Sequence, residues 1–358
     1  MTRARVLHVA SGREWRGGQR QVLLLARGLA AVPTVWSQVV TGRGTRLAEE
    51  LAHAGVPRHE TPWRMGLDPR ALARVVRLTT RDTLLHAHDG HAHALADAAA
   101  QITGARVVVT RRISTAITAP RRYRRAAAVI ALSDAIAAQV ALAGVRSNRI
   151  HRVPPAVDLA PLALAPPWPA GVPHPGAATP WITVIAALTA EKGVDLLLEA
   201  AAIIAPQRPA LRWLILGEGE ERAALEARRH ALGLDEVVQM PGHLLGPGGA
   251  LVGATLAVQP SRSEGFGSSV LDALALGIPV VATAVGGLPD ALVAGGGLLV
   301  PPGDPIALAE GIVSLLDDAP RRAALGAAGR AAAAGFGVDQ LVARTLAVYR
   351  SLDLHPGD

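Results

Sequence analysis

A pattern of strand, glycine-rich loop and helix occurs twice in this chain, and that repetition constrains its fold more than any other feature. Arg5 to Ala10 reads as a buried strand, Ser11 to Gly18 as a glycine-containing loop and Gln19 to Ala30 as an amphipathic helix. Trp181 to Leu188, Thr189 to Gly193 and Val194 to Ile204 repeat the theme. Such a unit opens a doubly wound parallel sheet, so the sequence predicts two facing Rossmann-like α/β domains. The chain's 358 residues are too many for one typical domain and comfortable for two cores.

Leu159 to Pro180, crowded with Ala and Pro and without periodicity, reads as the interdomain linker and a hinge. It divides the prediction into an N-terminal domain at 1–165 and a C-terminal domain at 166–338, with a last helix over Asp339 to Leu352. Half of the residues are hydrophobic and only 3% aromatic, so both cores must be built from Ala, Leu, Val and Ile. Cysteine is absent, which excludes disulfides and thiolate chemistry and fits a reducing compartment. The N-terminus meets charge too soon for a signal peptide and no apolar run reaches about eighteen residues, so the expectation is a cytoplasmic protein that does not span a membrane.

Within the C-terminal half, Ser261 to Pro289 carries the densest chemistry. Glu264-Gly265-Phe266-Gly267-Ser268-Ser269 packs small residues into a turn directly before a helical pattern, Val270 to Leu276. Backbone N–H groups in such a turn, together with the donors and positive dipole of a helix N-terminus, suit a phosphate. Glu264 stands in the turn and Asp272 a little over two helical turns later, where two acids make sense as ligands of sugar and ribose hydroxyls. The competing reading is a capping box formed by Ser269 and Asp272, with Glu264 merely solvated.

In the N-terminal half, the strand Thr83 to His88 delivers His88 and Asp89 to its C-terminal end, where open parallel sheets place ligands. His86, His88, Asp89, His91 and His93 raise a metal site, but their spacing fits no standard zinc motif, so no metal is expected and His91 and His93 are read as solvated or capping. Gly17-Gly18, at a helix start, offers either a backbone contact to an anion or a tight turn. Lys192 is the sole lysine among 36 Lys and Arg, which suggests a place where a compact ammonium is wanted.

The run E-G-F-G-x-x-x-L-D-A-x-A-x-G-x-P-V-V-A-T-x-x-G-G-x-P, from Glu264 to Pro289, resembles the nucleotide-binding signature of the family 4 glycosyltransferases, retaining enzymes of the GT-B fold. The family has glutamate at both ends of E-x7-E, whereas here the second acid is Asp272. The resemblance implies two Rossmann-like domains with a cleft between them and a final helix braced on the first. It also implies metal-independent sugar transfer from a nucleotide diphosphate sugar, which is a donor substrate and not a cofactor. Lys192, in the E-K-G turn, would contact the diphosphate with the Gly265 to Ser269 amides, Glu264 would hold the donor sugar and Asp272 the ribose. Gly17, Gly18, Gly217, Gly219, His243, Ser261 and Phe266 complete the implied donor site, with the turn Pro241 to Leu244 flanking the base. His88 and Asp89 would orient the reacting sugar or acceptor.

Two departures stand out. The family's phosphate-binding arginine is replaced by Ala187, so that either another arginine, Arg112 or Arg262, substitutes for it or donor binding is weak. At the strand end Thr110-Arg111-Arg112, where several members carry a histidine, Arg112 cannot act as a base and would hold an anion. W-R-G-G-Q-R-Q at 15–21 and T-R-R at 110–112 look most like members that build lipopolysaccharide core or related envelope glycans.

Charge is divided unevenly, with 24 Arg against 10 acids in residues 1–165, net +14, and net −7 in the remainder. Nucleic acid is disfavoured as a partner, because the basic stretches lack interleaved aromatics and recognition motifs. An anionic membrane surface carrying a glycan or glycolipid acceptor is expected instead, met through Arg121, Arg122, Arg124 and Arg125; a solvated helix face is the alternative. A sugar-nucleotide epimerase of the same fold, or a non-catalytic sugar-nucleotide binding protein, remain rival functions.

Overall fold

The structure, a computed structural model, describes residues 4–63, 66–160, 168, 172, 174, 176, 179–243 and 247–352. Contacts divide the chain into one unit of Met1–Ala156 with Val338–Asp358 and a second of Val157–Gly337.

The first unit is built on β1 (Ala4–Ala10), β2 (Val35–Gly42), β3 (Arg58–Thr61), β4 (Thr83–Ala87), β5 (Arg106–Arg111), β6 (Ala128–Ala131) and β7 (Ile150–Arg152). They form a seven-stranded sheet in the order β3-β2-β1-β4-β5-β6-β7, with every pairing parallel. Parallel strands covered on both faces read as continuous apolar runs, which is why β1 and β5 were legible and the edge strand β3, Arg-His-Glu-Thr, was not. The helix Val338–Arg350 closes the core, with Leu341, Val342, Val348 and Tyr349 packed among Val6, Leu24, Leu84 and Ile130. Gly28 makes that docking possible, since a Cβ there would lie 2.4 Å from Val342 Cγ2.

The second unit carries β8 (Trp181–Ile185), β9 (Arg212–Leu216), β10 (Val238–Gly242), β11 (Leu256–Gln259), β12 (Val280–Thr283) and β13 (Gly297–Val300). Their order is β10-β9-β8-β11-β12-β13, again parallel throughout. Its core gathers Trp213, Ile182, Leu197, Leu256, Val281 and Ile312.

Two segments differ from expectation. The strand predicted over Ile150 to Val157 ends at Arg152, just before Pro154 and Pro155, which lack the N–H a ladder needs. The division of the chain falls at 156/157 and not at 165/166. Val157, predicted to end the last strand of the first domain, bridges to Gly337, and Val172 of the predicted linker is buried with Leu214, Leu216 and Ala250, so both belong to the second unit. Residues 161–167 and most of 169–178 of that linker lie outside the described residues, as does Leu244 of the predicted base-flanking turn.

Candidate functional site

In a doubly wound sheet the strands on either side of the topological switch point open a crevice beyond their C-terminal ends. In the first unit these are β1 and β4, which lead directly into Ser11 and into His88-Asp89; in the second they are β8 and β11, followed by the loop to Gly193 and by the turn Pro260–Gly267.

The second unit's switch point brings together Lys192 and Glu264. Lys192 closes a short turn, Ala190–Lys192, whose next residue, Gly193, is left-handed at φ 64°. A Cβ at Gly193 would lie 2.1 Å from the Pro260 carbonyl, so only glycine lets the two loops meet. Lys192 Nζ donates to Glu264 Oε2 at 2.8 Å. Ser261 and the Gln259 amide stand beside that carboxylate at 3.3 and 3.4 Å, and Ser269 Oγ donates to Gln259 Oε1 at 3.0 Å. Gln259, the last residue of β11, is thus part of the site although no motif pointed to it.

The helix behind the turn is Ser268–Ala275, capped by Gly267 at φ 89° with no side-chain cap bond. Ser269 lies inside the helix and bonds to Gln259, which overturns the capping-box reading of Ser269 and Asp272. Asp272 is buried, 7% exposed. Gly265 is buried, and Phe266, 2% exposed, packs edge-on against Phe336, so Phe266 serves the core. Gly217 and Gly219 press on the loop after β8, where a Cβ would lie 1.8 Å from the Ala186 carbonyl and 2.2 Å from that of Leu188. His243 is exposed just beyond β10. Arg262 is committed to Asp195 through two bonds of 2.6 and 2.7 Å, which hold the Asp195 carboxyl below its ordinary value and remove Arg262 as a ready phosphate clamp.

At the first unit's switch point Asp89 caps the helix Gly90–Thr103 through Ala92 N–H at 2.8 Å and accepts the Ser11 N–H at 2.7 Å, tying the loop after β1 to β4. His8 and His86 are register partners on β1 and β4, and strand alternation puts His88, Thr110 and Arg112 on the same face. Arg112 Nη2 donates to His88 Nδ1 at 3.1 Å, and His88 Nε2 lies 2.9 Å from His8 Nδ1. His86 is bonded at both nitrogens, to Tyr349 Oη at 2.6 Å and to Thr110 Oγ1 at 2.7 Å. Burial holds His8 down to about 3, and burial with neighbouring cationic charge holds His86 and His88 well below their ordinary value, so all three are neutral. Burial likewise lowers Arg112 to about 10, partly offset by Asp89.

His8, His86 and His88 each offer a nitrogen within 4.8 Å of the others. Their lone pairs already accept hydrogen bonds, and the Arg112 guanidinium stands against His88; a metal would have to displace those bonds beside a fixed cation. His8 was missed because its partner lies on a strand eighty residues away. His91 is exposed, but His93, expected to be solvated or capping, is buried and packs edge-on against Tyr123 at 4.7 Å, with its pKa lowered to about 4 mainly by burial. Gly17 and Gly18 begin the helix Gly17–Ala30, and a Cβ on Gly18 would lie 3.6 Å from Arg112 Cδ. Beside them a cavity of about 420 Å³ is lined by Ser11, Arg13, Arg16, Gln19, Trp63 and His91.

The arginine cluster is divided. Arg125 grips Asp97 with two bonds, Nε at 2.9 Å and Nη2 at 2.5 Å, and Arg122 lies 4.0 Å from the same acid. Arg121 and Arg124 are exposed on the helix Pro120–Arg125. Among the described residues no helix is long and apolar enough to cross a membrane.

Two family models match the chain: Glycosyltransferase Family 4 over residues 15–161 and Glycosyl transferases group 1 over residues 177–332. D-inositol 3-phosphate glycosyltransferase 1 of Catenulispora acidiphila is 37% identical over 256 residues, 65% of this chain and 60% of that protein. The lipopolysaccharide core biosynthesis mannosyltransferase LpsB of Rhizobium meliloti is 33% identical over 172 residues, 45% of this chain and 49% of that protein. The chain thus spans 60% or less of the length of these relatives. Among solved structures, HepE of Anabaena in complex with UDP and glucose superposes with a TM-score of 0.82 at 20% identity, covering 97% of this chain and all of that one, a likeness of fold.

Proposed function

Because this chain belongs to the family 4 glycosyltransferases, with their GT-B fold, we propose that it transfers a sugar with retention from a nucleotide diphosphate sugar to an acceptor held mainly by the N-terminal unit. The observation that carries this reading is the meeting of Lys192 with Glu264 at the second sheet's switch point, beside the N-terminus of the helix Ser268–Ala275. As the glycosidic bond opens, charge builds on the leaving diphosphate, and an ammonium with orphan helix amides offsets it. Glu264 then accepts hydroxyls of the donor sugar and Asp272 those of the ribose.

In the N-terminal unit, Arg112 holds an oxyanion near Gly17 and Gly18, while His88 and Asp89 keep that end of the sheet in place. One relative acts in lipopolysaccharide core biosynthesis, which supports an envelope glycan or lipid-linked acceptor. The excess of arginine in residues 1–165 supports contact with an anionic membrane face. Thermal shift against UDP-, GDP-, ADP- and CMP-sugars tests the donor: a ligand at about 100 times its dissociation constant stabilises by about 2.7 kcal/mol. Mass analysis of products formed with that donor and envelope glycolipids then tests transfer. Stabilisation by none of the four classes would sink the reading, and an altered sugar nucleotide without transfer would identify an epimerase.

A further inference from the structure

We infer that His8 is a positioning residue for an oxyanion site in the N-terminal unit: acting through His88, it fixes the guanidinium of Arg112 that receives a phosphate or carboxylate. The inference rests on the reading of Arg112 as an anion holder and adds to it the residue that sets its pose.

The chemistry of the chain forces its direction. A guanidinium only donates, so Arg112 Nη2, 3.1 Å from His88 Nδ1, requires a lone pair on that nitrogen. A neutral imidazole has one lone pair and one N–H, so the proton of His88 is on Nε2 and is donated to His8 Nδ1, 2.9 Å away. The reverse polarity would need lone pairs on both nitrogens of His88, an imidazolate. His8 therefore carries its proton on Nε2, a buried atom with no hydrogen-bond partner among the described residues. Leaving a buried donor unpaired costs stability, and the gain that offsets it is a single enforced tautomer at His88.

A neutral imidazole suits the task better than a carboxylate. An aspartate in its place would hold Arg112 equally well but would neutralise it. The imidazole orients the cation and leaves its charge for a ligand. Arg112 Nε is also buried without a hydrogen-bond partner among the described residues, and the carboxylate that acts on its charge, Asp89, is engaged with the Ser11 and Ala92 N–H groups. The side chain passes Gly18 at the start of Gly17–Ala30, where the Gly17 and Gly18 N–H groups precede the first helical bonds, which run from Gln19 and Arg20 to the Arg16 carbonyl. A cation beside a helix N-terminus is a repulsive pair until an anion joins them. His86 lies against His88 with ring centroids 4.2 Å apart and planes tilted by 34°, but it is bonded to Thr110 and Tyr349, so it buttresses the chain without belonging to it.

The test uses the full chain and inorganic phosphate as the probe. Long-range 15N spectra of the imidazoles should show His8 and His88 both as Nε2–H tautomers near pH 7.5; an Nδ1–H tautomer at His88 overturns the inference. Arg112→Met should lose phosphate about tenfold or more, and His8→Leu about tenfold. His8→Asn, whose Oδ1 replaces the Nδ1 acceptor, should stay within about threefold of the native chain. Because His8 acts through Arg112, the double variant His8→Leu/Arg112→Met should bind no more weakly than Arg112→Met alone. Native affinity in a folded His8→Leu protein, or additive losses in the double variant, overturns the role of His8 while the Arg112 reading stands. Native affinity in Arg112→Met overturns that reading itself. The phosphate can represent the donor's diphosphate or an acidic group of the acceptor: saturating UDP should suppress the phosphate response in the first case and leave it in the second, and either supports the site.

Discussion

Lys192 Nζ lies 2.8 Å from Glu264 Oε2, so the only lysine of the chain and the acid that heads its longest motif neutralise each other across 72 positions of sequence. The two side chains are 19% and 12% exposed, which makes the pair more than a surface contact. A diphosphate arriving at Lys192 would compete with Glu264 and release that carboxylate to accept sugar hydroxyls.

Lys192→Ala is therefore expected to lose at least about tenfold in donor affinity or turnover, since a charged hydrogen bond contributes roughly 1.5–3 kcal/mol. Glu264→Gln should cripple transfer and leave the melting temperature within a few degrees. Calorimetric titration of the donor with single-turnover kinetics checks both; full activity in Glu264→Gln would leave the acid with a structural role only.

Gly193→Ala tests the loop contact that creates the pair. The residue sits at φ 64° and its Cβ would meet the Pro260 carbonyl at 2.1 Å, so something must move. Destabilisation by about 2 kcal/mol or more, with weaker donor binding, is expected in chemical denaturation and titration. A variant as stable as the native chain would show that the two loops are not held together by this approach.

Much of this arrangement was legible in the sequence, for a physical reason. Continuous apolar strands broken by glycine loops announce two doubly wound sheets, and the run from Glu264 to Pro289 announces its own turn and helix. What stayed hidden depends on strand order. His8 meets His86 because β1 and β4 are neighbours in register, and Gln259 reaches Ser269 and Glu264 because β11 ends beside the turn. Neither pairing leaves a local signal. His93 was misjudged, and the ion pair of Arg125 went unseen, because a helix face alone does not disclose Tyr123 or Asp97 opposite it. Short edge strands such as β3, paired on one side and polar, lack the apolar run that marks the others.

Asp272→Glu restores the residue common in the family, and the sequence alone recommends it as harmless. The structure argues otherwise. Asp272 is 7% exposed between the buried Leu271 and Ala273, so an extra methylene must find room in a packed helix face. The expected cost is about 1–3 kcal/mol, read as a lower unfolding midpoint, even if the carboxylate still serves a ligand. An unchanged midpoint would mean that the side chain has space the packing does not reveal.

Acid should unfold the N-terminal unit through its histidines. Burial sets His8 at about 3 instead of 6.5 and holds His86 and His88 well below that value. Below about pH 6.5 the unfolded chain takes up protons that the folded one refuses. The stability they contribute is complete above 6.5 and is lost as pH falls toward the folded values. His8 should withdraw on the order of 2 kcal/mol by pH 5, at 1.36 kcal/mol per unit, and His86 and His88 add losses of the same sign. Arg112, at about 10, and Tyr349, raised well above 10, face the cluster and do not titrate in this window. Denaturant unfolding at pH 7.5 and 5.0 should show a steep loss in the native chain and a shallower one in His8→Asn; equal slopes would mean that His8 charges freely in the folded state.

The arginine-rich helix Pro120–Arg125 separates two kinds of charge that the sequence presents as one cluster. Arg125 is held by Asp97, so reversing it sets two acids against each other and should destabilise the unit without informing on membranes. Arg121 and Arg124 are exposed, and Arg124 reaches toward the Ala143 carbonyl, beside Leu142, which is 89% exposed at the end of the helix Asp134–Leu142. Two exposed cations on one short helix, with a projecting apolar side chain beside the carbonyl that Arg124 reaches, suit the headgroup region of an anionic bilayer, where each basic residue contributes about 1 kcal/mol. Arg121→Glu/Arg124→Glu replaces two attractions by two repulsions, a change on the order of 4 kcal/mol or about a thousandfold in partitioning. The native chain should co-sediment with vesicles rich in anionic lipid at low salt and release them as the Debye length shortens toward 8 Å near 0.15 M. The double variant should remain in the supernatant with its UDP-sugar binding intact. Equal sedimentation with neutral vesicles, or a double variant that still binds, would remove the membrane from the account and point to a soluble acceptor.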